Sequence, residues 1–326
     1  MLLVTGGAGF IGSNVVAALN EAGRADVTVC DRLGHDGKWR NLAKRQLADL
    51  VPPAELRNWL SGRKLDAIIH LGAISETTAT DGDLVIETNF RQSMRLLDWC
   101  TVHATPFIYA SSAATYGDGA QGFRDDPSLA ALKALRPLNL YGWSKHLFDM
   151  VVAERVTRGG KLPPQWAGLK FFNVFGPNEY HKGTMMSVLA RRFDDVKAGR
   201  PVQLFKSHRE GITDGDQRRD FIYVDDTVRV MMWLLATPSV SGLFNVGTGR
   251  ARSFRDLILA AYAALGAAPN IEYVDMPESI RGSYQYFTES DVDRLQRAGY
   301  TGGFTALEPA VGNYVKGFLD RTDRFR

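Results

Sequence analysis

The chain holds only two cysteines, Cys30 and Cys100, in 326 residues. Each lies in an apolar stretch, "VTVCD" and "LLDWC", with no second ligand at metal spacing, so both read as core residues. That excludes a disulfide framework and a structural zinc site, and a reducing, cytoplasmic compartment is expected. Histidines are few and scattered (His35, His70, His103, His146, His181, His208), so no metal is expected. An excess of one charge is also missing: 39 Lys and Arg stand against 36 Asp and Glu, a net +3. Binding to nucleic acid or a membrane surface needs clustered basic residues, and neither is expected. Long apolar runs are absent. "MLLVTGGAGF" lacks the basic start and apolar length of an export signal, and "VMMWLLA" at 230–236 is far too short to span a bilayer. There is no internal repeat, low-complexity tract or long linker.

What the chain does have is alternation. "LLVT" (2–5), "VTVCD" (27–31), "AIIHLGA" (67–73) and "PFIYASS" (106–112) read as buried strands. "IGSNVVAALNEAG" and "LVIETNFRQSMRLLDWCTVH" read as helices between them. The alternation predicts βαβ units and an α/β fold with a Rossmann-type, doubly wound parallel sheet. Past about residue 170 the rhythm changes. "GTMMSVLARRFDDVKAGR" reads as a helix ending at Gly199, "VQLF" and "IEYV" as short strands, and 207–220 as an exposed polar loop. "FIYVDDTVRVMMWLLATP" returns to strand and helix, and "GLFNVGTG" to strand and turn. A nucleotide-binding domain is expected at 1–172 with about 213–250. A smaller C-terminal α/β substrate domain is expected at about 173–212 with 251–326. The chain should cross between the two more than once.

"VTGGAGFIGS" puts Gly6, Gly9 and Gly12 at G-x-x-G-x-x-G spacing between a strand and a helix. Glycine there allows a tight turn and close backbone approach to a pyrophosphate, with the helix N-terminus behind it. Asp31 ends the second strand, where a carboxylate can meet an adenine ribose. Asp31 alone would favour NAD. Arg32 beside it and Lys38 nearby suit a 2′-phosphate, which tips the expectation to NADP over NAD.

"LYGWSKHLFD" sets Tyr141 and Lys145 four residues apart, on one face of a helix. An ammonium beside a phenol lowers its pKa, which would make Tyr141 an acid/base for an alcohol proton during hydride transfer. A surface Tyr/Lys pair is the bland alternative. The end of the "FIYASS" strand places Ser111 and Ser112 where an α/β sheet binds ligands; Ser112 as a plain turn residue is the alternative there.

Taken together, TGxxGxxG, "SSAATYG", YxxxK and "RRDFIYVDD" resemble the extended short-chain dehydrogenase/reductase superfamily of nucleotide-sugar enzymes, over essentially the whole chain. The resemblance implies that Ser112, Tyr141 and Lys145 form the hydride-transfer site and that Arg219 meets the substrate diphosphate. It implies cofactor contacts from Gly6, Gly9, Phe10, Ile11, Gly12, Asp31, Arg32, Lys38, Lys145 and Val174. It adds the "HLGAIS" loop (Leu71, Gly72, Ala73, Ile74, Ser75) and Asn89 behind it.

More narrowly, "FFNVFGPNEYHKGTMMSV", "NVGTGRARSF" and "GSYQYFTESDVDRLQRAGY" resemble the branch that inverts C6 of an ADP-linked manno-heptose for the lipopolysaccharide core. That implies conversion of the ADP-D-glycero to the ADP-L-glycero epimer through a transient 6-ketone, by a homo-oligomer, a pentamer in this branch. Hydride must leave one face and return to the other, so the oxygen points to two places and needs two proton carriers. The resemblance implies Tyr141 for one and Lys182 for the other, with Lys182 also at the cofactor. The expected Lys182 pKa is lowered by Lys145, oxidised nicotinamide and partial burial. By spacing alone, Lys182 would read as a solvated loop lysine. Implied substrate contacts are Ser112, Asn173, Thr184, Arg191, Phe205, Lys206, Ser207, His208, Arg219 and Tyr284. Two other readings stand: a UDP- or GDP-sugar 4-epimerase or dehydratase, which needs no second carrier because the whole sugar turns over, and a non-catalytic NADP-binding sensor.

Overall fold

The computed structural model describes residues 1–281 and 284–326. Gly282 and Ser283, which open the "GSYQYFT" motif, lie outside the described residues. The first strands are β1 (Leu2–Thr5), β2 (Val27–Cys30), β3 (Asp49–Val51), β4 (Ala67–His70), β5 (Phe107–Ser112) and β6 (Trp166–Phe171). Then follow β7 (Asn173–Phe175), β8 (Val202–Phe205), β9 (Arg218–Tyr223), β10 (Gly242–Val246), β11 (Ala251–Ser253) and β12 (Ile271–Val274).

Seven of the described strands form one parallel sheet in the order β10-β6-β5-β4-β1-β2-β3. Its central strands are apolar on both faces: Leu3, Val4, Ile68, Ile69, Phe107 and Ile108 are fully buried. Each such side chain contributes about 1.5–3 kcal/mol relative to exposure. This is the doubly wound sheet the alternation predicts. The chain runs outward from β1 to β3, then returns to β4 beside β1, so the strand order reverses between β1 and β4. Ligands bind at such a reversal, outside the strand ends.

The smaller sheets are β11-β9-β7 and β12-β8. Between their strands the chain returns to the large sheet through β10, which pairs with β6. Cys30 and Cys100 are buried and free, and burial raises both thiol pKa values. Among the described residues no helix is long and apolar enough to cross a membrane, and no group of His, Cys, Asp and Glu is placed to hold a metal.

Three local expectations change. The helix expected from Gly183 covers only Val188–Lys197, because Ser187 caps it by accepting from Ala190 N–H. Gly183 takes φ +54, and Tyr180–Met185 form a tight 3-10 turn instead. The polar loop ends at Gln217, because Arg218 already pairs in the sheet with Ser253. The helical stretch from Gly82 to Val102 widens to a π-turn over Ile86–Arg91.

Candidate active site

Where the strand order reverses, the loops after β1 and β4 touch. Gly6 has φ +68, and a Cβ on it would stand 2.6 Å from Gly72 N. A Cβ on Gly12 would stand 2.1 Å from Gly6 O. Gly9 N-caps the helix Phe10–Glu21 without a side-chain cap, so the first-turn N–H groups are left for an anion. A cradle that any side chain would fill, at a bare helix N-terminus, fits a dinucleotide pyrophosphate. Just past β2 the Asp31 carboxylate accepts from Ala8 N (2.8 Å) and from Lys38 Nζ (2.6 Å). Arg32 is exposed beside it.

The loop Leu71–Ser75 is held from behind by Asn89, in the π-turn. The buried Asn89 amide accepts from Ile74 N (2.8 Å) and donates to Ile74 O (2.9 Å) and Ser144 Oγ (3.0 Å). π-turns inside helices frequently mark functional sites. Under the loop runs a second chain of bonds. Gly72 N–H donates to Thr5 Oγ1 (3.2 Å), Thr5 meets His70 Nδ1 (2.6 Å), His70 Nε2 meets Ser93 Oγ (2.9 Å), and Ser93 donates to Asn89 O (2.5 Å). Since Ser93 donates to a carbonyl, it accepts from Nε2–H, and Thr5 donates to Nδ1. His70 is thus neutral, with burial and nearby Lys145 pushing its pKa down to about 3.

The proposed hydride-transfer residues come together at the end of β5. Ser112 caps the following turn, accepting from Ala114 N (3.1 Å). Asn139 caps the helix Leu140–Thr157, which carries Tyr141 in its first turn and Lys145 one turn on. Gly142 lets that helix approach the Ser112 turn: a Cβ there would stand 2.7 Å from Ala114 O. The Tyr141 pKa is raised, not lowered. Burial raises it, the Ser112 side chain pulls the other way, and the Asp149 charge adds to the rise. The expectation that Lys145 lowers it is therefore corrected: burial of the phenol sets the direction, and the opposing pull comes from Ser112, not from the ammonium. Lys145 is itself buried, which lowers its pKa to about 8 against the pull of Asp149.

Asp149 was not found from the sequence as a site residue. It sits four residues beyond Lys145 and pairs with Lys170 of β6 (2.8 Å), both side chains fully buried. Ser111 donates to the same carboxylate (2.6 Å), and Lys170 also donates to Thr115 Oγ1 (2.6 Å). A lysine inside the apolar strand "WAGLKF" was the available signal, since a buried cation needs a partner.

Lys182 lies in the Tyr180–Met185 turn with its ammonium 5.5 Å from the centroid of the Phe10 ring. The turn therefore faces the glycine cradle. Burial lowers the Lys182 pKa and Glu179 opposes the shift. Lys145 is not a cause, which corrects that part of the expectation.

Of the expected substrate contacts, Phe205, Arg219 and Tyr284 converge. The Arg219 guanidinium stacks on Tyr284 (5.1 Å) and Phe254 (5.7 Å), and Phe205 meets Tyr284 edge-on at 6.4 Å. Arg219 is buried and donates to the carbonyls of Arg218 and Gln285. Among the described residues no carboxylate neutralises it, and burial lowers its pKa. A buried cation without a counter-ion suits a diphosphate. Asn173 on β7 is exposed and linked to Thr288 (3.5 Å). Val174, beside it, is half-buried. Lys206 and His208 lie near Asp275 (3.7 and 3.9 Å), and Ser207 Oγ donates to Arg209 O. Thr184 and Arg191 are exposed, Thr184 in the Lys182 turn and Arg191 on the next helix.

Residues 2–247 match the NAD dependent epimerase/dehydratase family. An ADP-L-glycero-D-manno-heptose-6-epimerase of Nitratidesulfovibrio vulgaris is 47% identical over 329 residues, covering 100% of each chain. One of Fusobacterium nucleatum is 43% identical over 335 residues, again covering 100% of each. The crystal structure of the Helicobacter pylori enzyme of that name superposes with a TM-score of 0.79 at 27% identity, covering 97% of this chain and 95% of that one.

Proposed function

The chain belongs to the NAD-dependent epimerase/dehydratase family, and from that premise we propose that it is an isomerase of nucleotide sugars. Its substrate is ADP-D-glycero-D-manno-heptose, inverted at C6 to the L-glycero epimer used in the lipopolysaccharide core. The observation that carries this reading is Lys182. A half-buried amine faces the glycine cradle in a chain 43–47% identical to enzymes of that name.

The glycine cradle, the Leu71–Ser75 loop, Asp31, Arg32 and Lys38 would hold the nicotinamide dinucleotide. When bound, it supplies hydride exchange at C6, out from one face and back to the other. Tyr141 and Lys182 serve the oxygen in its two positions. One takes the hydroxyl proton as the carbinol becomes a ketone; the other returns a proton to the oxygen when the carbinol re-forms. Ser112 donates to the same oxygen. Lys145 holds positive charge near Tyr141 and the ribose. Arg219, stacked between two rings, holds the diphosphate, with Phe205 and Tyr284 beside it. Asn173, Thr184, Arg191, Lys206, Ser207 and His208 line the approach.

We take the cofactor to be NADP. Lys38 already neutralises the acceptor that a ribose diol would use, and Arg32 is exposed beside it, with no carboxylate partner among the described residues. Arg32→Ala should weaken NADP binding about tenfold or more and leave NAD nearly unchanged; equal effects on both would reverse the assignment. By the same reading the enzyme is a cytoplasmic homo-oligomer, a pentamer, which light scattering of the purified protein tests. The nucleotide-binding domain is 1–172 with about 213–250.

The decisive experiment incubates the purified protein with ADP-D-glycero-D-manno-heptose and reads C6 by NMR. Appearance of the L-glycero epimer supports the proposal. Bound nucleotide with no turnover of the heptose would overturn it, and inversion of a UDP-hexose at C4 would move the chain to the 4-epimerases.

A further inference from the structure

The turn that carries Lys182 is anchored to the core through its first residue, the partly buried Tyr180. None of the residues Tyr180–Met185 is buried. Yet its amine must sit at one place over the cradle to serve the sugar oxygen. Within the turn His181 meets Asn41 (3.3 Å), and further ties, through Tyr180 and Asn178, lead to the segment Asp323–Arg326.

Tyr180, two residues before Lys182, donates its hydroxyl to Arg324 O (2.8 Å). Its ring meets Phe325 edge-on at 5.3 Å. Asn178, four residues before Lys182, is buried with φ +73, a left-handed conformation that Asn tolerates better than most but still needs support. Its Oδ1 accepts from Arg326 N (3.0 Å), its Nδ2 donates to Ser13 Oγ (3.0 Å), and its carbonyl accepts from Asn41 (3.1 Å).

The segment is tied down in turn to the nucleotide-binding half. The Arg326 guanidinium reaches Asn14 (3.2 Å) and Glu21 (3.0 Å) on the helix behind the glycine cradle, and Asp225 (2.5 Å). Lys44 donates to Phe325 O (2.7 Å) and pairs with Asp323 (2.6 Å). One short segment therefore grips the Lys182 turn at positions 178 and 180 and the cradle helix at Asn14 and Glu21.

We infer that Phe325 and Arg326 are positioning residues for Lys182, fixing the height of its amine over the glycine cradle. They act through Tyr180 and Asn178, the residues they contact next to the turn. The inference rests on the two-carrier reading above and deepens it. It makes the Lys182 half of the reaction dependent on a segment more than 130 residues away, as the Tyr180–Arg324 separation of 144 residues shows.

The test uses the asymmetry of a two-carrier reaction. Each epimer of the substrate loses its hydroxyl proton to a different carrier. Single-turnover formation of reduced nucleotide, followed at its absorbance, is measured from each epimer separately for the full-length holoenzyme. Lys182→Met is the reference. Phe325→Ala is expected to slow the same epimer that Lys182→Met slows, by about tenfold or more, because a small misplacement of a catalytic group is costly. The other epimer should stay within about twofold. Tyr180→Phe, a milder change, should slow the same epimer in the same one-sided way. Phe325→Tyr, which keeps the ring, should restore the rate.

Equal slowing of both epimers by Phe325→Ala and Tyr180→Phe, or slowing of neither, would overturn the positioning role while Lys182→Met remains one-sided. If Lys182→Met itself treats both epimers alike, the two-carrier reading falls, and this inference with it.

Discussion

The Lys182 ammonium stands over the Phe10 ring, 5.5 Å from its centroid. Phe10 is the first residue of the helix that opens the glycine cradle, so the contact sets Lys182 beside the cradle proposed to hold the nucleotide. Lys182→Ala should lower epimerisation by about 100- to 10,000-fold, the range for loss of a general acid/base. Nucleotide should remain bound, since the cradle is untouched. NMR of C6 and analysis of the nucleotide released on denaturation check both halves; unchanged turnover would remove Lys182 from the chemistry.

Gly12→Ala tests the cradle. The new Cβ would meet the Gly6 carbonyl, a backbone atom that cannot swing away. The turn has to open, at a cost of about 1–3 kcal/mol, and the pyrophosphate loses its seat. The variant should purify nearly free of nucleotide and melt several degrees lower.

Lys145 gives a pH dependence with a definite sign. Burial sets its pKa at about 8 in the nucleotide-free protein, against 10.5 ordinarily. Below pH 8 it is protonated both folded and unfolded, and the folded state bears the full cost of a buried ammonium. Between about 8 and 10.5 the unfolded chain keeps the proton and the folded chain does not, so stability rises with pH across that window. Urea melts at pH 7.5 and 10 should show this gain in the wild type relative to Lys145→Met, of about 3 kcal/mol at most. Asp149→Asn should move the Lys145 ionisation lower still. It should also destabilise the protein by about 3–5 kcal/mol, because Lys170 is left buried and unpaired.

Arg219→Lys keeps the charge and loses the planar stack between Tyr284 and Phe254. KM for the nucleotide sugar should rise about tenfold, with kcat changed less and nucleotide content unaltered. Steady-state kinetics separates these; a fall in kcat at constant KM would place Arg219 in the chemical step.

The strands and the glycine turn were legible because their signals are local. Apolar runs of four residues bounded by glycine have few alternatives, and Gly6, Gly9 and Gly12 stand in chain order. Tyr141 and Lys145 were legible for the same reason, by helical spacing. Their electrostatics were not. Spacing shows that two groups are near, but a phenol's pKa depends on how much water it has lost, and burial decided the sign at Tyr141. The Asp149–Lys170 pair joins a helix to a strand 21 residues on, and the ties to Phe325 and Arg326 span far more of the chain. No local pattern records such contacts. The π-turn at Asn89 escaped because its apolar periodicity is that of any helix. Lys182 was legible only through the "HKG" resemblance; its own neighbourhood reads as a loop.

The threading of the chain has an evolutionary consequence. β7, β8 and β9 lie between β6 and β10, which are neighbours in the large sheet, and β11 and β12 follow β10. The parts proposed to recognise the sugar therefore come as two separate stretches, one between β6 and β10 and one after β10. No single crossover in the gene can exchange them. An engineer who wishes to graft that sugar-recognising half has to move both stretches together.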